Sequence, residues 1–287
     1  MSVNSSSSAL LDFHCKDSGY FISVALLVTK VSLLLPLLIF ILYIGHQRWQ
    51  RQPSSAATSH SDIFTYHLAA IELVFMLAIA LYFCGSFTGL LWMTKAGFYV
   101  SALVIPGEIC LHLLACVERY LAVVHPVTYM GLRQSAGVKI RNISIGCVWL
   151  LSMGWIGVTV LFSPSLPYIP FFCVLVFSLV VVSFCSVSVL RVLIRPGLGE
   201  TSGDRERVDQ SKQRAFCTVT AIMGVLWLYF VGFTVCLAVE NSQLLGYSAG
   251  CLVLITANWM TLPSSLVLPL LFLHRAGKLF CCHCSNG

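Results

Sequence analysis

The stretch AGFYVSALVIPGEICLHLLACVERYLAVV occupies residues 96–124. A helix crosses the hydrocarbon core of a bilayer with about 20 apolar residues, so this stretch is long enough to span. It also carries Ser101, Glu108, His112 and Arg119, spaced by 7, 4 and 7 residues. At 3.6 residues per turn those intervals place all four on one helical face. Such a stripe is too costly to face lipid and must face protein or water. A single segment thus predicts a membrane helix and a bundle around it. The plainer reading of the stripe is a set of structural hydrogen bonds between helices.

The rest of the chain agrees. Of 287 residues, 58% are hydrophobic and only 10% charged, and mean hydropathy is +0.88. Soluble domains carry about 25% charge, so most of this chain belongs in lipid. Seven stretches are expected to span, at residues 20–44, 64–87, 96–124, 140–162, 171–193, 215–239 and 244–273. The fold class is therefore an all-α membrane protein, a seven-transmembrane-helix bundle. Thirteen cysteines are present, but Cys110, Cys116, Cys147, Cys185 and Cys217 fall in apolar runs, where cysteine acts as a small hydrophobe. Only Cys281-Cys282-His283-Cys284 approaches metal-ligand spacing, so no zinc framework is expected. The chain lacks a nucleophile elbow, a phosphate loop and metal-binding spacing, which argues against an enzyme.

Orientation is read from the basic residues of the loops. One side holds Arg48, Arg51, Arg133, Lys139, Arg141, Arg191, Arg195, Arg205, Arg207, Lys212, Arg214, Arg275 and Lys278, whereas the other holds Lys16 and Lys95. The net charge of +6 is thus a membrane-orientation signal, and no nucleic-acid partner is expected. Residues 1–19 form an extracellular tail without a cleavable signal pattern, 20–273 the bundle, and 274–287 a cytoplasmic tail. Asn4-Ser5-Ser6 is a glycosylation acceptor on the outer side. Outer loops are short, and the largest polar loop, 195–214, is internal.

Polar residues recur inside the bundle. Asn258, Thr261 and Ser265 form a second stripe, and Glu72 and Lys30 stand in the second and first spans. Glu108 lies 11 residues above Arg119, about 16 Å, and Glu72 lies 10 above Asp62, about 15 Å on an antiparallel neighbour. Two carboxyls sharing one layer cannot both ionise without a cation, so a sodium ion or a shared proton is implied. Lys30, with no acid near it in sequence, is expected to snorkel outward, with an anionic or lipid ligand as the alternative.

The inner end of the third span reads Glu118-Arg119-Tyr120, followed by His125-Pro126-Val127-Thr128-Tyr129. Together with Trp149, with Leu68-Ala69-Ala70-Ile71-Glu72 and with Leu268-Pro269-Leu270-Leu271-Phe272, this resembles the rhodopsin-like G-protein-coupled receptors. The resemblance implies a plasma-membrane receptor coupled to heterotrimeric G proteins. Arg119 would pair with Glu118 and with Asp209 when inactive. Val127 would be the plug of the second inner loop and Trp227 the toggle of the sixth span. Pro269 and Phe272 would belong to the switch of the seventh. Residues 274–280 would form a short amphipathic helix 8, with Cys281, Cys282 and Cys284 palmitoylated. Glu72, Glu108, His112 and Ser265 would form the ion or proton site. The pocket would draw on Lys30, Tyr99, Ser101, Trp227, Asn258 and Trp259 for a small or lipid-like ligand. Ser101 stands where amine receptors carry aspartate, so a biogenic amine is not expected. Departures are Thr94 in place of the third span's disulfide cysteine, Tyr229 in place of a kink proline, and Leu268 and Phe272 in place of asparagine and tyrosine. They keep open a non-signalling decoy or heteromer partner, or an ion-coupled transporter.

Overall fold

A computed structural model describes residues 4–51, 60–132, 135–162, 168–194, 205–242, 252–253 and 256–275. All regular structure in them is helical: α1 (Asn4–Arg51), α2 (His60–Thr88), α3 (Leu91–Val124), α4 (Pro126–Leu132), α5 (Ser135–Phe162), α6 (Tyr168–Ile194), α7 (Arg205–Asn241), a 3₁₀ turn (Asn258–Met260) and α8 (Thr261–Arg275). Among the described residues six helices contain stretches long and apolar enough to cross a membrane: Gly19–Arg48, Asp62–Thr88, Leu91–Val124, Ala136–Phe162, Ile169–Val192 and Thr220–Val239. The chain is a multi-pass, all-helical membrane protein, and the first six expected spans lie in these helices.

The seventh expected span, 244–273, falls partly outside the described residues. Its described part is the 3₁₀ turn and the 15 residues of α8. That helix is about 22 Å long, short of the roughly 30 Å of a hydrocarbon core. Two helices also reach far past their expected limits, and a further helix forms in a loop. α1 is helical from Asn4, and α7 from Arg205 within the expected internal loop. The turn after α3 holds α4, which starts on Pro126, where a missing N–H costs a helix nothing.

Helix α3 is the hub. Within its apolar window 61% of residues are buried, against 22% for α5, which is why the polar stripe resides on α3 and α5 lines the rim. Outward-facing Leu150, Leu151, Phe177, Val180 and Phe184 are exposed and apolar, as a lipid-facing surface requires. Lipid tails are as apolar as leucine, so helices associate through close packing at small residues. α2 and α3 make the most extensive helix pair. A Cβ on Gly97 would lie 2.5 Å from the Tyr82 amide nitrogen and 2.6 Å from the Ala78 carbonyl oxygen, so the two backbones meet there directly. Gly89, at φ 73°, supplies the left-handed residue that ends α2 and turns the chain back along it. This tight antiparallel pair sets Glu72 against Glu108.

Candidate functional site

Five elements converge on one buried polar layer. Lys30 of α1 and Glu72 of α2 are each 1% exposed, and Lys30 Nζ lies 3.3 Å from Glu72 Oε2. Ser265 of α8 donates its hydroxyl to Glu72 Oε1. Glu108 and His112 of α3 are both buried, with His112 Nε2 3.7 Å from Glu108 Oε1. Tyr229 of α7 closes the layer, its ring centroid 6.2 Å from that of His112. Glu72 and Glu108 act on each other's charge, and Lys30 acts on both.

Lys30 therefore does not snorkel. Its ammonium sits inside the bundle, paired with Glu72 and 4.7 Å from the centroid of the Phe75 ring. It supplies one of the cations that two buried carboxyls require. A buried ion pair adds little net stability, because desolvation offsets the attraction; losing one partner is costly. Its physical effect here is to tie α1, α2 and α8 into one register.

Above the layer opens a cavity of about 270 Å³. Its wall includes Ser101 and Glu108 of α3, Phe75, Tyr82 and Phe83 of α2, Tyr229 and Phe233 of α7, and Asn258 and Thr261. Of the expected pocket residues, Ser101 and Asn258 line it and Lys30 lies beneath it. Tyr99 stacks edge-on with Phe98 at 5.6 Å, and Trp259 sits half-buried in the 3₁₀ turn; neither is in the cavity wall. Trp227 is a correction. It is 43% exposed, and its Nε1 donates to Ser183 Oγ of α6 at 3.2 Å on the outer surface. The buried face of α7 runs through Ile222, Met223, Leu226, Tyr229, Phe230, Phe233 and Leu237, a spacing of three and four residues that leaves Trp227 off the stripe. Tyr229 occupies the inward place expected of the tryptophan. That stripe was readable in the sequence, and it would have placed Tyr229 and Phe233 on the inner face.

The other end of α3 is built differently. Glu118 is buried and accepts a hydrogen bond from the Tyr129 hydroxyl of α4 at 2.9 Å. Tyr120 Oη lies 3.1 Å from His125 Nε2, and the Tyr120 ring packs on Phe184 of α6 at 5.6 Å. Arg119 is half-buried between them. α4 thus clasps the acid of the triplet while turning Val127, 83% exposed, and Met130 outward. Trp149 donates to His67 Nδ1 at 3.3 Å, joining α5 to α2. Pro269 and Phe272 are buried on α8; the Phe272 ring packs on Tyr66 at 5.4 Å and under the Arg48 guanidinium at 5.3 Å. Asp209 lies on the first turns of α7, and Asn4 opens α1; the side chains of both lie outside the described residues. So do residues 276–287, with most of the expected helix 8 and Cys281, Cys282 and Cys284. Cys173 and Cys236 are free thiols.

Searches of protein-family models and of curated proteins found no match to this chain.

Proposed function

We propose that the chain is a rhodopsin-like G-protein-coupled receptor of the plasma membrane. In this reading seven helices span, with residues 244–273 the seventh, the amino end outside and the carboxyl end in the cytosol. A small or lipid-like ligand enters the cavity above the polar layer. Outward movement of α7, the sixth span of this reading, passes the signal to a heterotrimeric G protein. Glycosylation of Asn4 and palmitoylation of Cys281, Cys282 and Cys284 complete it.

The observation that carries the reading is the Glu118-Arg119-Tyr120 triplet at the basic end of the most buried helix, with Glu118 held by Tyr129 of α4. An arginine at the mouth of a bundle, beside a carboxylate whose restraint comes from a short loop helix, can be released by a small shift of that helix. The exposed Val127 and Met130 then give a cytosolic partner an apolar foothold beside it. The cavity and the triplet lie at opposite ends of α3, so binding at one is poised to bias the other.

The test is G-protein dissociation in cells expressing the chain without added ligand. Signal above the empty-vector level is expected for the wild type, and a fall to that level for Arg119→Ala at matched surface expression. Wild-type and Arg119→Ala cells that both match empty vector would remove the support for coupling. Within the same assay, Asp209→Asn is expected to raise basal signal about fivefold in the active-to-inactive ratio. That is the worth of roughly 1 kcal/mol from a pair near water. An unchanged basal level would show Asp209 to be a solvated charge.

A further inference from the structure

Glu72 and Glu108 share the polar layer but are not equally satisfied. Glu72 has Lys30 on one oxygen and Ser265 on the other. Glu108 has less. Its Oε1 has no hydrogen-bond partner among the described residues, and His112 Nε2, at 3.7 Å, is beyond hydrogen-bond reach. His112 is 0% exposed, and both its ring nitrogens likewise lack a hydrogen-bond partner among the described residues. Lys30 is one cation against two carboxyls, so a second cation or a proton shared by Glu72 and Glu108 completes the layer. Buried carboxylates are paired or coordinated in stable structures, and a cation entering from the cavity would give Glu108 such a partner.

Glu108 also stands in the wall of the cavity, the one acidic side chain there among the described residues. Two hydroxyls of the wall are turned to backbone. Ser101 donates to Phe98 O at 2.8 Å, and Thr261 to Asn258 O at 2.7 Å. Much of the remaining wall is aromatic, with Phe75, Phe83, Phe98, Tyr229 and Phe233. Ring faces attract a cation and shelter an apolar body equally well.

We propose that the cavity binds a small organic cation, an amine or amidinium nitrogen on a ring-sized apolar body, with its charge on Glu108 and its body against the aromatic wall. A volume of about 270 Å³ is at the small end of ligand sites and favours one ring with a short chain. The expectation against an amine rested on Ser101, yet a carboxylate stands seven residues deeper, two turns down the same helix face. The proposal rests on the cavity being the ligand site and does not require G-protein coupling. Binding without a G-protein response would uphold it while removing the receptor reading, and a response without cation binding would do the reverse.

The test is thermal unfolding of the full-length protein in detergent with three probes of one size: 2-phenylethylamine, its N-acetyl derivative, which has no charge, and 3-phenylpropanoate, whose charge is opposite. The amine is expected to raise the melting temperature saturably at millimolar concentration, and the other two to leave it unchanged. Glu108→Gln should weaken the amine about 10- to 100-fold, the worth of a hydrogen bond to a charged group. Glu108→Asp should keep the preference for amine over amide. The comparison of probes on the wild-type protein stands even if neither variant folds. Equal stabilisation by amide and amine overturns the proposal, leaving an apolar pocket only. So does unweakened amine binding in Glu108→Gln, or no amine effect at all. If sodium chloride in place of potassium chloride, or a shift from pH 8 to 6, stabilises where the amine does not, then a bound ion or a proton completes the layer and the organic cation is excluded.

Discussion

Replacing Lys30 by methionine is expected to destabilise the protein by about 3–5 kcal/mol, the cost of leaving a buried charge without its partner. Methionine keeps the length and apolar stem of the side chain, so little packing is lost. What is lost is the one lysine or arginine found within the layer among the described residues, and Glu72 and Glu108 then face each other without it. The double variant Lys30→Met with Glu72→Gln removes both charges while leaving Ser265 an acceptor. It should recover most of the loss, because buried ion pairs replaced together by neutral groups are often nearly neutral in stability. Unfolding of the solubilised single and double variants measures this directly. A single variant that unfolds with the wild type would mean the ammonium is not held by Glu72.

Gly97→Ala is the second large effect. The added Cβ would press on the backbone of α2 at Tyr82 and Ala78, and backbone cannot rotate away as a side-chain end can. Overpacking of this kind costs about 1–3 kcal/mol. It should also weaken any ligand, since Gly97 and Tyr82 border the cavity. Gly154→Ala on α5 is the matched control: nothing lies within 4 Å of its Cβ position, and alanine favours helix, so unchanged or slightly higher stability is expected. Equal effects at the two glycines would show that α2 and α3 are not in backbone contact.

The two glycines also show what the sequence could and could not convey. The first six spans were legible, because 20-residue apolar runs have one physical explanation. So was the shared level of Glu72 and Glu108, because antiparallel helices of fixed rise can be counted from a common end. The Lys30–Glu72 pair was not. Lys30 lies 18 residues from Arg48, about 27 Å along its helix, whereas Glu72 lies about 15 Å above Asp62. Arg48 and Asp62 are themselves paired at 3.0 Å, so the count separates Lys30 from Glu72 by about 12 Å. A rise-per-residue count contains neither side-chain reach nor helix tilt, and those close the gap. Trp227 was misplaced for another reason. The motif comparison fixed on residue type, while the buried stripe of α7 depends on spacing, which points to Tyr229. The close approach at Gly97 left no mark in the sequence beyond one glycine among 20.

The account depends most on the number of crossings. Six helices among the described residues are long and apolar enough to span, and the receptor reading adds a seventh through residues 244–273. Parity decides between them without reference to any ligand. Epitope tags placed after Met1 and after Gly287 are read by antibody on intact and on permeabilised cells. The account predicts the amino-terminal tag exposed on intact cells and the carboxyl-terminal tag detected only after permeabilisation. Both tags on one side of the membrane would mean an even number of crossings, and would contradict it.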